Sequence, residues 1–256
     1  DPNLQNIPVR TREGRQIRAG FIPLEDGHLL LAADYSQIEL RVLAHVTGDP
    51  ALVEAFQSGE DIHRATAARV FGCPPEQVTS EMRGAAKVVN FGIIYGMSAH
   101  RLAGQLEIPR TRAAQFIEDY FAAYPGVKKW TEQIVAVARA SGYVTTLSGR
   151  RRAIANIRSR NHNLRRAAER VAVNTPIQGT AADMIKRAMI AVDRRLREVD
   201  GGARMIMQVH DELIFDVPEG EVETVSRAVV EEMENALPLE VPIQVDVKTG
   251  KNWEEC

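Results

Sequence analysis

The chain has 256 residues, 45% of them hydrophobic, and a formal net charge of −2 from 32 basic and 34 acidic side chains. This composition suffices for one large core or two modest ones, while the lack of any run of about 18 apolar residues argues against a membrane span. Cys73 and Cys256 form neither a disulfide framework nor a zinc ligand set, and with no signal peptide in view the expected setting is a reducing cytoplasm.

Residues 1 to 48 read as an extended segment, a strand and a helix. The apolar run Leu29-Leu30-Leu31-Ala32-Ala33 ends in Asp34-Tyr35-Ser36 and predicts a buried strand. Ser36-Gln37-Ile38-Glu39 fits a capping box, with Ile38, Val42 and Val46 as the apolar stripe of the following helix. Residues 49 to about 145 read as mainly helical, punctuated by Gly72-Cys73-Pro74-Pro75, Ile108-Pro109 and Tyr124-Pro125-Gly126. Residues 142 to 149 suggest a short hairpin or strand. Helical character resumes at Leu164, and Asn174-Thr175-Pro176 is expected to break it, because proline lacks the helix donor. Thr180 with Asp183 then caps a further helix to about Leu196. A second apolar run, Met205 to Val209, leads through His210-Asp211-Glu212 into Leu213-Ile214-Phe215, a hairpin pattern. An acidic helix from Glu219 to Glu234 and a strand at Ile243–Val247 close the chain.

Asp34 and Asp211 each stand at the end of an apolar run, where a rigid scaffold holds a carboxylate in place. Brought together, two such groups make an oxygen-rich site for Mg²⁺ ions of the kind used in phosphoryl displacement. Between them, Arg83, Lys87, Phe91 and Tyr95 recur every four residues, forming a helical stripe about 18 Å long. Met82, Ala86, Val89 and Ile93 take the core face, so the stripe points elsewhere. Two cations near a helix start are unfavourable beside its positive dipole end unless an anion sits there; a triphosphate is such an anion. The aromatics further along can stack on a base and pack against a sugar.

These segments resemble the three polymerase motifs of family A DNA polymerases, the bacterial DNA polymerase I family. Asp34 to Arg41 is similar to motif A, Arg83 to Gly96 to motif B, and Gln208 to Glu212 to motif C, while Asp1 to Arg10 resembles a family segment just upstream of motif A. Three ordered motifs are far more specific than one. One departure is Gly84, where relatives more often carry a second arginine or another non-glycine residue. The resemblance implies an α+β fold: a palm-like, mainly antiparallel sheet (1–48 and 161–256) interrupted by a helical fingers insertion (49–160). The chain lacks an initiator methionine and begins inside the family pattern, which suggests a fragment whose thumb and any exonuclease domain lie upstream of Asp1.

The implied activity is template-directed addition of dNTPs to a primer 3′ end with two Mg²⁺ ions, Mn²⁺ being a substitute. Asp34 and Asp211 are expected to bridge the metals, with a contact from the Tyr35 carbonyl. Glu212, pointing to the opposite strand face, is expected as an occasional or outer ligand. Lys87 and Arg83 are assigned to the triphosphate, Lys87 also as the acid for the leaving pyrophosphate, and Phe91 and Tyr95 to the base and sugar pocket. By resemblance, Gln37 and His63 touch the nucleotide, Glu39 blocks a ribose 2′-hydroxyl, and Arg10, Asn174, Gln178, His210 and Gly92 lie along primer-template DNA. Two basic stretches, Arg10 to Arg18 and Arg150 to Arg170, are expected to track phosphates, whereas a monomer with no membrane partner is expected otherwise. Competing readings are a single-subunit RNA polymerase, against which Glu39 and Phe91 argue; a metal-dependent nuclease, which needs no nucleotide stripe; and a nucleic-acid-binding module without catalysis of its own.

Overall fold

The computed structural model describes residues 6–9, 11–198 and 201–256, so the calls at Arg10 and at Asp1 to Gln5 lie outside the described residues. The chain divides into two compact units. One comprises Asp1–Ile38, Ala182–Pro238 and Ile243–Cys256; the other comprises Glu39–Ala181 and Leu239–Pro242. No helix is long and apolar enough to cross a membrane.

The first unit is built on an antiparallel sheet. In chain order its elements are helix α1 (Arg12–Ala19), strand β1 (His28–Tyr35), and, after the second unit, strands β4 (Arg204–Val209) and β5 (Glu212–Pro218), helix α10 (Val222–Glu234) and strand β6 (Val245–Gly250). The sheet order is β4-β5-β1-β6. Alternation along β1 sends Leu31, Ala33 and Tyr35 to one face, where the Tyr35 hydroxyl donates to the Met233 carbonyl of α10 at 2.7 Å. Leu30 and Ala32 take the other face and pack with Val209, Ile214 and the fully buried Trp253. Where an extended segment is expected before β1, the chain forms α1, begun by Thr11, whose hydroxyl accepts from the Gly14 amide at 3.1 Å. Arg18 lies 3.9 Å over the Trp253 ring, so part of the first basic stretch is anchored on the core. The last strand also lies two to three residues later than expected.

The second unit is helical. Its elements are α2 (Ile38–Thr47), α3 (Pro50–Gln57), α4 (Ile62–Phe71), α5 (Ser80–Ile94), α6 (Ala99–Leu106), α7 (Arg110–Ala123), α8 (Pro125–Ser141), the short hairpin β2–β3 (Tyr143–Thr145 and Arg151–Ala153) and the first part of α9 (His162–Glu198). The expected core face of α5 is observed, with Ala86, Val89 and Ile93 buried. Asp49 is buried between two helix starts. One carboxylate oxygen accepts from the amides of Ala51 and Leu52 in α3, and the other accepts from the Gly126 amide of α8 at 2.7 Å. A Cβ on Gly126 would sit 2.8 Å from that oxygen, so glycine is needed there.

Two local expectations fail, both for tertiary reasons. The helix does not break at Pro176, which lies inside the continuous α9. Proline costs a helix interior about 3 kcal/mol, but Val173, Thr175, Ile177 and Thr180 are all buried around it, and that burial outweighs the local preference. Thr180 therefore caps nothing; its hydroxyl accepts from the Leu147 amide of the hairpin loop at 3.0 Å. At the start of α2, the Ser36 amide donates to the Gln244 carbonyl at 2.9 Å, so that amide is held by the chain before β6. Gly84, the departure in motif B, faces open space, with nothing within 4 Å of an added Cβ. Gly84→Ala is thus expected to stabilise the chain by about 0.5–1 kcal/mol through helix propensity alone; an unchanged or lower melting temperature would show that Gly84 has a backbone role.

Candidate active site

The carboxylates gather at one end of the strands of the sheet. Asp34 stands directly opposite Glu212 of β5 and Asp246 of β6, and directly opposed residues of an antiparallel pair share a face. Asp211 occupies the turn between β4 and β5, where its carbonyl accepts from the Tyr35 amide at 3.2 Å. The turn is forced by His210, at φ 55°, a left-handed conformation that costs a non-glycine residue about 1–2 kcal/mol and is held by a 2.7 Å bond from Gln208 Nε2 to the His210 carbonyl. Gln37 is also left-handed, at φ 54°, and its side-chain oxygen is buried with no hydrogen-bond partner among the described residues. Strained residues thus flank both carboxylate positions, as is common at functional sites.

Crowding has an electrostatic consequence. The Asp34 carboxyl is pushed up to about 7, first by loss of water around it, then by repulsion from Asp211, Glu212 and Asp246, with Lys248 opposing. Asp211 and Glu212 are also raised, chiefly by burial. Glu212 accepts from the indole nitrogen of Trp253 at 3.3 Å. The sequence nominates Asp34, Asp211 and Glu212, whereas Asp246 and Lys248, which also act on Asp34, come from a distant strand and carry no motif. Among the described residues, no group of three or more His, Cys, Asp or Glu forms a ready-made metal cage. The donor set nonetheless fits a hard cation: adjacent carboxylate oxygens whose mutual repulsion a positive charge relieves, with water completing the coordination as Mg²⁺ prefers. The Tyr35 side chain is committed to α10, so only its carbonyl is left for such a contact.

The helical unit holds the other candidates on α4 and α5. The stripe along α5 is less free than its sequence suggests. Arg83 Nε donates to Asp61 at 2.7 Å, and Asp61 also caps α4 by accepting from the His63 and Arg64 amides at 2.9 and 3.1 Å. Asp61 is held below its usual range: partial burial works against this, but the Arg83 hydrogen bond and the backbone amides outweigh it. Tyr95 donates to Glu39 at 2.9 Å, joining two residues that the sequence had placed in separate roles. Lys87 is exposed. The Phe91 ring lies 5.8 Å from that of His63, which is buried and pushed down to about 4, by burial first and then by Lys87 and Arg83, with Asp61 opposing.

Gly92 is buried against Met97, whose sulfur lies 3.3 Å from where a Cβ would sit. Gly96 follows the helix at φ 61°, and a Cβ there would meet Arg170 at 2.7 Å. Asn174, with its amide nitrogen turned to the carbonyls, donates to Ile94 and Arg170 at 2.5 and 3.0 Å, and Gln178 is half-buried one turn on. Several arginines of the second basic stretch are committed internally. Arg150 donates to the Gly179 carbonyl, Arg152 to Thr175, and Arg158 to the carbonyls of Arg139 and Ala140 at the end of α8.

A sequence model described as DNA polymerase family A matches residues 1–255. The chain belongs to this family. It is 55% identical over 253 residues to DNA polymerase I of Geobacillus stearothermophilus, covering 99% of the chain and 29% of that protein. To the thermostable DNA polymerase I of Thermus thermophilus it is 53% identical over the same length, with 99% and 30% covered. Among solved structures, the POL domain of Pol1 from M. smegmatis in complex with DNA primer-template and dNTP matches with a TM-score of 0.94 at 46% identity, over 99% of the chain and 45% of that chain. The α+β architecture of helices with an antiparallel sheet is that of a family A polymerase domain, and the chain spans less than a third of the length of these curated relatives. The family A motifs locate Asp34, Asp211 and the α5 stripe, while Asp61, the partner of Arg83, lies outside them. Its signal in the sequence is the Asp-x-His spacing of a helix cap.

Proposed function

We propose that the chain is the palm and fingers portion of a template-directed DNA polymerase that adds dNTPs to a primer 3′ end. The observation that carries this reading is the row of carboxylates at the end of β1, where burial and then mutual repulsion raise Asp34 to about 7 beside a strained turn bearing Asp211. Residues 1–48 and 161–256 are assigned to the palm and 49–160 to the fingers. Asp34 and Asp211 would hold two divalent cations, Mg²⁺ by the hardness of the donors, with Glu212 tied to Trp253 as an outer group. Bound there, the cations supply Lewis acidity for the attacking hydroxyl and the leaving pyrophosphate.

The other residues bind and orient. Lys87 and Arg83 take the triphosphate, Arg83 from a geometry preset by Asp61. Lys87 donates a proton to the leaving group. Phe91 packs on the sugar and base, and the Tyr95–Glu39 hydrogen bond stiffens the wall that rejects a ribose 2′-hydroxyl. Gln37 and His63 are lesser nucleotide contacts, and His210, Gly92, Asn174 and Gln178 lie along primer and template, with Arg10 in the upstream segment.

The test is primer extension on a defined template with this chain, comparing dNTPs with rNTPs and with chelated metal. Extension with dNTPs that stops on chelation supports the reading; metal-dependent DNA cleavage without extension sinks it. Lys87→Ala is expected to lower dNTP efficiency about 10- to 150-fold, the loss of a charge-assisted contact of about 1.5–3 kcal/mol, with duplex affinity unchanged. Measuring rate against dNTP concentration checks this, and unchanged kinetics would return Lys87 to the solvated surface. With several arginines committed internally, the chain is expected to extend distributively. Long products from one encounter, in the presence of a DNA trap, would contradict that.

A further inference from the structure

We propose that Asn90 is a positioning residue for His63, fixing the imidazole as its Nε2–H tautomer so that it donates to a phosphate oxygen of a triphosphate. This rests on the nucleotide reading of α5 above and names what prepares that contact. His63, Thr66 and Asn90 are buried, at 2%, 0% and 0% exposure, with Tyr124 buried beside them. None of these is needed to fill space as a polar group, since an apolar network of the same shape would be cheaper to bury.

With the Asn90 amide nitrogen turned to the imidazole, as the structure has it, counting hydrogens gives the tautomer. The Thr66 hydroxyl donates its one hydrogen to the Ile62 carbonyl at 2.8 Å, one helical turn back, in preference to the longer contact with Asn90 Oδ1 at 3.2 Å. Its oxygen is then an acceptor, reached by Asn90 Nδ2 at 3.1 Å and by the Tyr124 hydroxyl at 3.0 Å. One of the two Asn90 amide hydrogens is thereby used. The other points to His63 Nδ1, 3.0 Å away, which must carry a lone pair to accept it. The ring hydrogen is left on Nε2, and Nε2 is buried with no hydrogen-bond partner among the described residues.

An unmet, buried donor of fixed direction calls for an acceptor. Lys87 and Arg83 on α5 and Asp61 at the start of α4 are the charged groups acting on this ring, so the neighbouring positive charge attracts an anion while the imidazole itself stays neutral. A phosphate oxygen only accepts, so it pairs with Nε2–H and would be repelled by a bare Nε2. The two cations thus supply attraction, and His63 supplies direction through Asn90, Thr66 and Tyr124.

The test begins with the unliganded chain labelled with ¹⁵N-histidine, using long-range ¹H–¹⁵N correlations at neutral pH. Protonation of His63 at Nε2 alone is expected; a hydrogen on Nδ1 overturns the proposal, and this measurement needs no variant to fold. Asn90→Asp, nearly isosteric, replaces the donor by an acceptor and should move the hydrogen to Nδ1. Affinity for inorganic tripolyphosphate, measured by calorimetry, should fall about tenfold or more. In a His63→Phe background, where no imidazole remains to reorient, the same substitution should cost less than about threefold. Equal losses in both backgrounds would mean that Asn90 acts by charge or structure alone and would overturn its positioning role. If tripolyphosphate fails to bind the unsubstituted chain while Nε2–H is observed, the nucleotide reading of α5 falls and the proposal falls with it.

Discussion

Asp34→Asn and Asp211→Asn are each expected to slow single-turnover primer extension at least about a thousand-fold, ~4 kcal/mol of transition-state stabilisation, with primer-template affinity changed less than about threefold. Asparagine keeps the shape of the carboxylate but not its charge, and a divalent cation is held by charge. Asp34 is the sharper case. Its carboxyl is crowded by Asp211, Glu212 and Asp246, so removing one negative charge relieves repulsion in the unliganded chain. The melting temperature of Asp34→Asn should therefore be equal or higher than that of the parent, a loss of activity without loss of fold. Glu212→Gln is expected to be milder, because its oxygen still accepts from Trp253. Single-turnover kinetics, a duplex titration and a thermal melt on the same preparations decide this. Near-normal extension by either aspartate variant would remove the metal-site assignment.

Asp49→Ala is expected to destabilise the chain by about 2–4 kcal/mol, a large share of the stability of an ordinary domain. Loss of an N-cap costs about 1 kcal/mol, and here the same side chain serves a second helix. Its other oxygen is the acceptor for the Gly126 amide at 2.7 Å, which would be left buried and unpaired at a further cost of about 1–3 kcal/mol. Asp49→Asn retains one acceptor oxygen and should lose about half as much. The check is the urea midpoint with the slope m unchanged, since a constant slope identifies a change in stability rather than in compactness. A shift worth less than about 0.5 kcal/mol for Asp49→Ala would show that water replaces the carboxylate at one or both helix starts.

Periodicity was enough to determine the core face of α5, the strand ending in Asp34 and the hairpin carrying Asp211. A buried helix face and a buried strand need apolar residues at fixed spacings, and those spacings survive in one dimension. The ordered motifs likewise sufficed to identify the family and to nominate the residues along α5, because Arg83, Lys87 and Phe91 share that helix and Tyr95 follows it directly. What folding alone decided are the contacts between residues far apart in the chain. Pro176 and Thr180 read as a break and a cap, yet both lie inside α9, because burial on every side outweighs a local propensity of a few kcal/mol. Asp246 joins Asp34 only through the register of β1 with β6, and strand pairing over such a separation leaves no short-range pattern. No local pattern announces that the Glu39 carboxylate accepts from Tyr95 or that Arg83 donates to Asp61. A side chain's type and spacing are written locally, whereas its partner depends on which surfaces meet, and hydrogen-bonding groups taken out of water must take the partners that meet them there.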